Sequence, residues 1–260
     1  MFTKIKGWCK SPLFIEAVMG GALLLMAIVA LVVVLLGTDP KPQPAPPVQT
    51  TLATEPVTPP AGPSVLGIDV SEHQSQIDWQ QVKAAGVEFV MIRVGWQGYT
   101  KGELFPDTLA QSHYAGARAA GLKVGAYVFS QAITPEEGAG NASFLLQQIE
   151  GWQIDMPLAI NWEHMGDENR TTQVDARMLT DVSKAFCETI ARAGHQPLIY
   201  FNADLGLGRM HLEELSAYPF WFAQYSQQLN FPHPVRMWQY TCTGKVPGIA
   251  GDVDMDRYFP

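Results

Sequence analysis

The chain has 260 residues, 47% of them apolar and only 16% charged, with 23 glycines and 19 prolines. Its formal net charge of −8 excludes the basic face that binding to a phosphate backbone requires. Three cysteines exclude a disulfide framework in a chain of this length. No Cys-x-x-Cys or Cys/His cluster offers zinc a ligand set, so neither a metal nor a cofactor is expected.

The first element in chain order is an apolar span. Residues 17–38 carry no charge, and 23–36 are almost wholly Leu, Val, Ile, Ala and Met. About twenty such residues cross the roughly 30 Å hydrocarbon core of a bilayer. A helix buried in a protein core keeps a polar stripe, and this span has none. Lys4, Lys6 and Lys10 precede it and the next cation is Lys41, which predicts a cytoplasmic N-terminus. A cleaved signal peptide would have a shorter apolar region and a small-x-small end, which Leu35-Leu36-Gly37-Thr38 does not supply. Residues 1–12 are therefore read as a short cytoplasmic segment and 13–38 as an uncleaved transmembrane anchor, with 17–36 in the membrane.

Residues 39–63 hold nine of the nineteen prolines and almost no large apolar residue. Such a stretch cannot bury enough surface to fold, and proline extends it into a spacer between the membrane and the rest of the chain. The acidity belongs to residues 64–260, which carry 13 Lys+Arg against 22 Asp+Glu. Cys9 falls on the cytoplasmic flank; Cys187 and Cys242 fall outside and are expected as two buried free thiols, since separation in space decides pairing.

Within 64–260, short β-rich runs alternate with helical patterns. The runs are 65–70, 89–94, 123–129, 158–162, 197–201, 220–224, 235–240 and 253–258, and the helical segments 79–85, 108–120, 135–150 and 174–193. In the last of these Val174, Met178, Val182, Phe186 and Ile190 recur every four residues, and Gly194 ends the pattern. Strands alternating with helices predict parallel pairing. Eight of them predict a modified, TIM-like (β/α) barrel of the α/β class, with loops joining the last strands. Chemistry on such a barrel gathers at the C-terminal ends of the strands.

Those ends carry Asp69, then Asn161-Trp162-Glu163-His164, Tyr127, Gln224-Tyr225, Trp238-Gln239-Tyr240, and Asp254 on the last strand. A barrel aims Asp69, Glu163 and Asp254 into one mouth. One carboxyl group that lends a proton and another that stays charged, beside aromatic faces, are what glycoside hydrolysis needs. Trp96, Tyr127, Trp162, Trp238 and Tyr240 supply such faces. The bland readings sit beside these: Asp69 as a turn residue, Asp254 as part of a solvated edge, and the aromatics as plain core. Arg93 is read as the structural partner of a nearby carboxylate, and His73 and His164 as possible contacts of the site. Asp252-x-Asp254-x-Asp256 is no EF-hand loop, because its sixth position is Arg257 rather than glycine. Asn141 and Asn169 open glycosylation sequons, which a bacterial host usually leaves unmodified.

The motifs GIDVSEHQ with IDW, FVMIRVGW, GLKVGAYVFSQA, PLAINWE, PLIYFN, WFAQY and MWQYT followed by VDMDRYF stand in this order between about Leu66 and Phe259. Together they resemble glycoside hydrolase family 25, the lysozymes of the Chalaropsis type. The resemblance implies hydrolysis of the β-1,4 bond between N-acetylmuramic acid and N-acetylglucosamine in peptidoglycan, with no cofactor. It implies Glu163 as general acid, Asp69 and Asp254 as the other carboxylates, and Tyr127, Trp162, Trp238, Gln224, Gln239 and Trp96 as substrate contacts. Asn161 departs from the family's Asp-x-Glu and leaves a rival: a weak or inactive wall-binding or tethering module on the same barrel. The whole reads as a peptidoglycan-directed enzyme of a bacterial cytoplasmic membrane, crossing it once, with the barrel (64–260) outside.

Overall fold

The computed structural model describes residues 63–166 and 168–260. The expected cytoplasmic segment, anchor and, but for Pro63, linker lie outside the described residues. Among the described residues no helix is long and apolar enough to cross a membrane.

Eight strands close into a barrel: β1 (Val65–Val70), β2 (Phe89–Gln97), β4 (Lys123–Ser130), β5 (Leu158–Trp162), β6 (Pro197–Asn202), β7 (Phe220–Ala223), β8 (Met237–Gly244) and β9 (Val253–Tyr258). Pairing of β1 with both β2 and β9 shuts the ring. The parallel expectation holds through β8 and fails at β9, which runs antiparallel to its neighbours β8 and β1. The reason is the connection. Only a short loop separates β8 from β9, and a parallel return needs a crossover of a dozen or more residues. A short β3 (Leu104–Pro106), not anticipated, folds back antiparallel on β2.

The helices are α1 (Trp79–Ala84), α2 (Ala110–Ala119), α3 (Pro135–Gln148), α4 (Ala176–Arg192) and the short α5 (Ala203–Gly208). Three of these helices start with residue types that satisfy free backbone N–H groups. Asp78 caps α1, Thr134 caps α3 ahead of Pro135, and Asp175 caps α4. Helix α4 buries Leu179, Val182, Phe186 and Ile190, each contributing about 1.5–3 kcal/mol. Met178, expected on that face, is exposed, because 3.6 residues per turn carry a strict four-residue repeat off the stripe. As expected, α5, a 3-10 turn and loops replace full helices after β6.

Side chains alternate along every strand between the barrel interior and the helix layer. Phe89, Met91, Tyr127, Ala159, Leu198, Tyr200, Trp221 and Met237 form the inner cluster. Gly67 makes room for it: a Cβ there would lie 2.2 Å from the Phe89 ring. Ile68, Val90, Ile92 and Val124 face outward against Val82 and Ala117 of α1 and α2. Cys187 is buried and free, which excludes a bridge to Cys242. The expectation of two buried free thiols fails for Cys242, which is half-buried and not free.

Candidate active site

Three strand ends bring carboxylates to one mouth. Asp69 is the last residue but one of β1 and lies opposite Asp254 in the β1–β9 register, while Glu163 follows β5 directly. They line a cavity of about 190 Å³ together with Asn161, Tyr127, Tyr200, Gln239 and Arg93, and with Ser71, His73, Gln74, Phe129 and Tyr225 at its rim.

The chain leaves β1 in a fixed manner. Ser71 caps a one-turn 3-10 helix (Glu72–Gln74) through a capping box, and Gln74 Oε1 accepts from the Ser71 N–H at 2.9 Å. That turn sets His73 at the rim, where burial and then Arg93 lower its pKa. Arg93 is paired as expected. Its guanidinium grips Asp107 Oδ2 through Nε at 2.9 Å and Nη2 at 2.8 Å, and Glu72 lies 3.4 Å away. The Arg93 side chain nonetheless reaches the cavity wall.

Asp69 is almost wholly buried. Gln239 Nε2 donates to its Oδ2 at 2.8 Å and the Tyr127 hydroxyl to its Oδ1 at 3.4 Å. Gln239 is itself oriented, because Tyr200 and Tyr225 both donate to its Oε1, at 3.1 and 3.0 Å. Burial, then the charge of Asp256, holds the Asp69 carboxyl well above the usual carboxylate range. Asp254 is pushed up to about 9 by burial and next by Asp69 and Glu163. Burial likewise raises Glu163, offset in part by a hydrogen bond from the Asn161 amide. Asn161 is buried, and its Oδ1 has no partner.

Glu163 is held from behind. Gln131, fully buried after β4, donates Nε2 to the Glu163 carbonyl at 2.7 Å and to the Ser130 carbonyl at 2.9 Å. Its own N–H donates to Gln97 Oε1, which also receives Asn141 Nδ2. Asn141, which opens the first sequon, is fully buried in the folded protein. The segment beyond Glu163 is tied down by Arg170, which bonds Glu137 of α3 at 2.5 Å.

Some expected contacts do not face the mouth. Trp162 and Trp238 lie in the layer between barrel and helices, and their indole N–H groups donate to the Ala132 and Gln224 carbonyls, both at 2.8 Å. Alternation requires this: Asn161 and Gln239 point inward, so their neighbours point outward. Tyr240 is outward too, under the Arg257 guanidinium. Gln224 staples the β7–β8 connection through both Asn230 main-chain groups instead of lining the cavity. Trp96 stands off the cavity in the β2–β3 hairpin, stacked on Phe105 at 4.6 Å and on Tyr99, which meets the cavity residue Phe129 edge-on. His164 is half-buried and is not among the lining residues. Tyr200 carries no expectation in the sequence, whereas Tyr225 and Asp256 stand at expected strand ends without an expected role in the site. For Asp256 the signal was present, because residues two apart on a strand share a face with Asp254.

The arrangement offers a raised carboxyl group beside a neutral amide, and two buried aspartates across a small polar cavity. It suits proton transfer to a leaving oxygen and stabilisation of a developing cation. A sequence model described as Glycosyl hydrolases family 25 matches residues 68–249. Lysozyme M1 of Streptomyces globisporus is 30% identical over 210 residues, covering 75% of this chain and 67% of that protein. The bacterial lysozyme structure from Streptomyces coelicolor aligns with a TM-score of 0.62 at 27% identity, over 76% of this chain and 93% of that one. The modular autolysin LytC from Streptococcus pneumoniae, solved with a synthetic peptidoglycan ligand, has a TM-score of 0.66 at 22% identity. That likeness spans 75% of this chain but only 47% of the autolysin, and it concerns the fold.

Proposed function

The chain belongs to glycosyl hydrolases family 25, and from that premise we propose that it is a peptidoglycan-directed muramidase. It cleaves the β-1,4 bond between N-acetylmuramic acid and N-acetylglucosamine. The observation that carries this reading is the meeting of Glu163, Asp69 and Asp254, from three separate strand ends, around one cavity.

Glu163 is the general acid. Its surroundings favour the neutral form, so it holds a proton for the departing glycosidic oxygen. As that bond breaks, positive charge grows on the sugar ring and draws negative charge onto the aspartate cluster across the cavity. Asn161 shares the inner face with Glu163. Its amide donates toward Glu163, which leaves the buried, unpartnered Oδ1 to accept the N–H of a substrate acetamido group. Tyr225, about half exposed beside the cavity, offers a ring on which a sugar can stack.

Incubation with purified peptidoglycan tests this. New reducing ends should be those of N-acetylmuramic acid. Reducing N-acetylglucosamine ends, or binding without any release, would overturn it.

The apolar, uncharged run at 17–36 and its lysine flank support a membrane-anchored version of this enzyme, with the barrel outside the cytoplasmic membrane. Protease added to intact spheroplasts should remove the barrel and leave a small N-terminal fragment. Survival of the full-length protein would rule that orientation out.

A further inference from the structure

The cavity of about 190 Å³ is smaller than the roughly 300–1,000 Å³ usual for a ligand site, so it holds only part of a glycan strand. The rest has to lie on the surface around the mouth. Among the described residues, Phe105 and Tyr225 are two of the four large apolar side chains left exposed. Tyr225 follows β7, and Phe105 stands on β3, the strand paired with β2 at the mouth. Round the closed ring, three strands separate β2 from β7 in either direction: β4, β5 and β6 one way, β1, β9 and β8 the other. The hairpin and Tyr225 therefore stand on opposite sides of the mouth. Glu163 follows the middle strand of one arc, and Asp254 sits on the middle strand of the other. A line from Tyr225 to the hairpin thus passes between the acid and the aspartates.

The rings of the hairpin form a row. Trp96 pairs with Phe129 of β4 on one side and with Phe105 of β3 on the other, and paired residues share a face. Phe129 lines the cavity, so this face continues the cavity wall outward. Trp96 and Phe105 are stacked with ring centres 4.6 Å apart, and Tyr99 stacks on Trp96 at 6.3 Å. Hydrogen bonds hold the row in place. The Gly98 N–H donates to the Glu103 carbonyl at 2.8 Å, and Gln97 Nε2 to the Gly102 carbonyl at 3.0 Å. From the segment beyond Glu163, the Arg170 N–H donates to the Tyr99 carbonyl at 3.1 Å.

A flat, preorganised apolar surface that runs on from the cavity suits the apolar face of a sugar ring, and little of it has to be ordered on binding. Resting on the muramidase reading, we propose that the row Phe105, Trp96 and Tyr99 is an outer sugar subsite. It takes an N-acetylhexosamine ring of the glycan strand, beyond the pair of sugars whose bond is cleaved. With Tyr225 across the mouth, it lays the strand between Glu163 and Asp254. The consequence is a preference for long strands over short ones, because only a long strand reaches the hairpin while its scissile bond lies at Glu163.

The test is Phe105→Leu in the full chain. Leucine keeps apolar bulk against Trp96 and removes the flat face, whereas Phe105→Tyr keeps that face. The wild-type protein should cleave long glycan strands with a higher kcat/KM than short ones. Phe105→Leu should shrink this preference by about threefold to tenfold, mainly through KM, and Phe105→Tyr should retain it. A purely structural role would lower the rate on long and short strands alike; that result, or an unchanged preference, overturns the proposal. Binding gives a readout that needs no turnover. In Glu163→Gln protein, the hexasaccharide of β-1,4-linked N-acetylglucosamine should bind more tightly than the disaccharide, and Phe105→Leu should remove most of the difference. Equal affinities, or a difference untouched by Phe105→Leu, would overturn the subsite and leave the muramidase reading standing. A difference lost in Phe105→Leu, with no reducing ends released from peptidoglycan by the wild-type protein, would overturn the enzymatic reading and leave the subsite standing.

Discussion

Gln131 donates its side-chain amide to the main-chain carbonyl of Glu163 over 2.7 Å, so the loop after β4 fixes the end of β5. The donor is fully buried and also bonds the Ser130 carbonyl, which is buried with it. Gln131→Leu keeps the volume and removes both bonds. Leaving buried acceptors unpaired costs about 1–3 kcal/mol each, which thermal unfolding would register. The acid would also sit in a looser geometry, so kcat should fall by about tenfold or more with KM little changed. An unaltered kcat in a folded variant would show that Glu163 holds its place without this loop.

Glu163→Gln removes the transferable proton and keeps the side-chain shape. Turnover on peptidoglycan should drop by about 10²–10⁴-fold, the usual worth of a general acid, while the melting temperature stays or rises because a buried carboxyl group is gone. Wild-type rates of reducing-end release would remove Glu163 from its role.

Asn161→Asp restores the family's carboxylate two residues before the acid. The change adds negative charge facing the developing cation, and one such interaction is worth on the order of 3 kcal/mol elsewhere. Turnover should rise at least about tenfold with little change in affinity. The alkaline limb of the pH profile should also move upward, because the Asn161 amide now lowers the Glu163 pKa and a carboxylate would raise it. No gain in rate would mean that the aspartates across the cavity already supply the full charge.

Buried carboxyl groups make stability depend on pH in a direction that can be worked out. Asp254 rises from an ordinary 3.8 to about 9, and Asp69 and Asp256 also move up. The folded state therefore holds protons more tightly than the unfolded chain. Its stabilisation is complete below about pH 4 and is lost as pH climbs through about 9. The melting temperature should fall between pH 5 and pH 9, and Asp254→Asn should flatten that fall. A protein steadier at pH 9 than at pH 5 would contradict the burial of these groups as charges without cations.

The sequence by itself determined the barrel and the positions of its strands. Val65–Val70 and Leu158–Trp162 appear with the bounds read from their apolar runs, because a strand buried on both faces writes itself as such a run, and Val253–Tyr258 keeps its bounds through the alternation of Val253 and Met255 with Asp254 and Asp256. It also placed Asp69, Glu163 and Asp254 at strand ends, and the family motifs joined them to one chemistry. Strand alternation was legible as well, and applied strictly it would have turned Trp162 and Trp238 away from the mouth and brought Asp256 in. The tertiary structure alone decided the rest. That β9 runs antiparallel depends on how the ring closes. The orienting of Gln239 by Tyr200 and Tyr225, the support of Glu163 by Gln131, and the bond from Gln239 to Asp69 join residues up to 170 positions apart. Local pattern records which face a side chain takes, whereas hydrogen bonding and desolvation depend on distance across the barrel, and only closure of the sheet sets that distance.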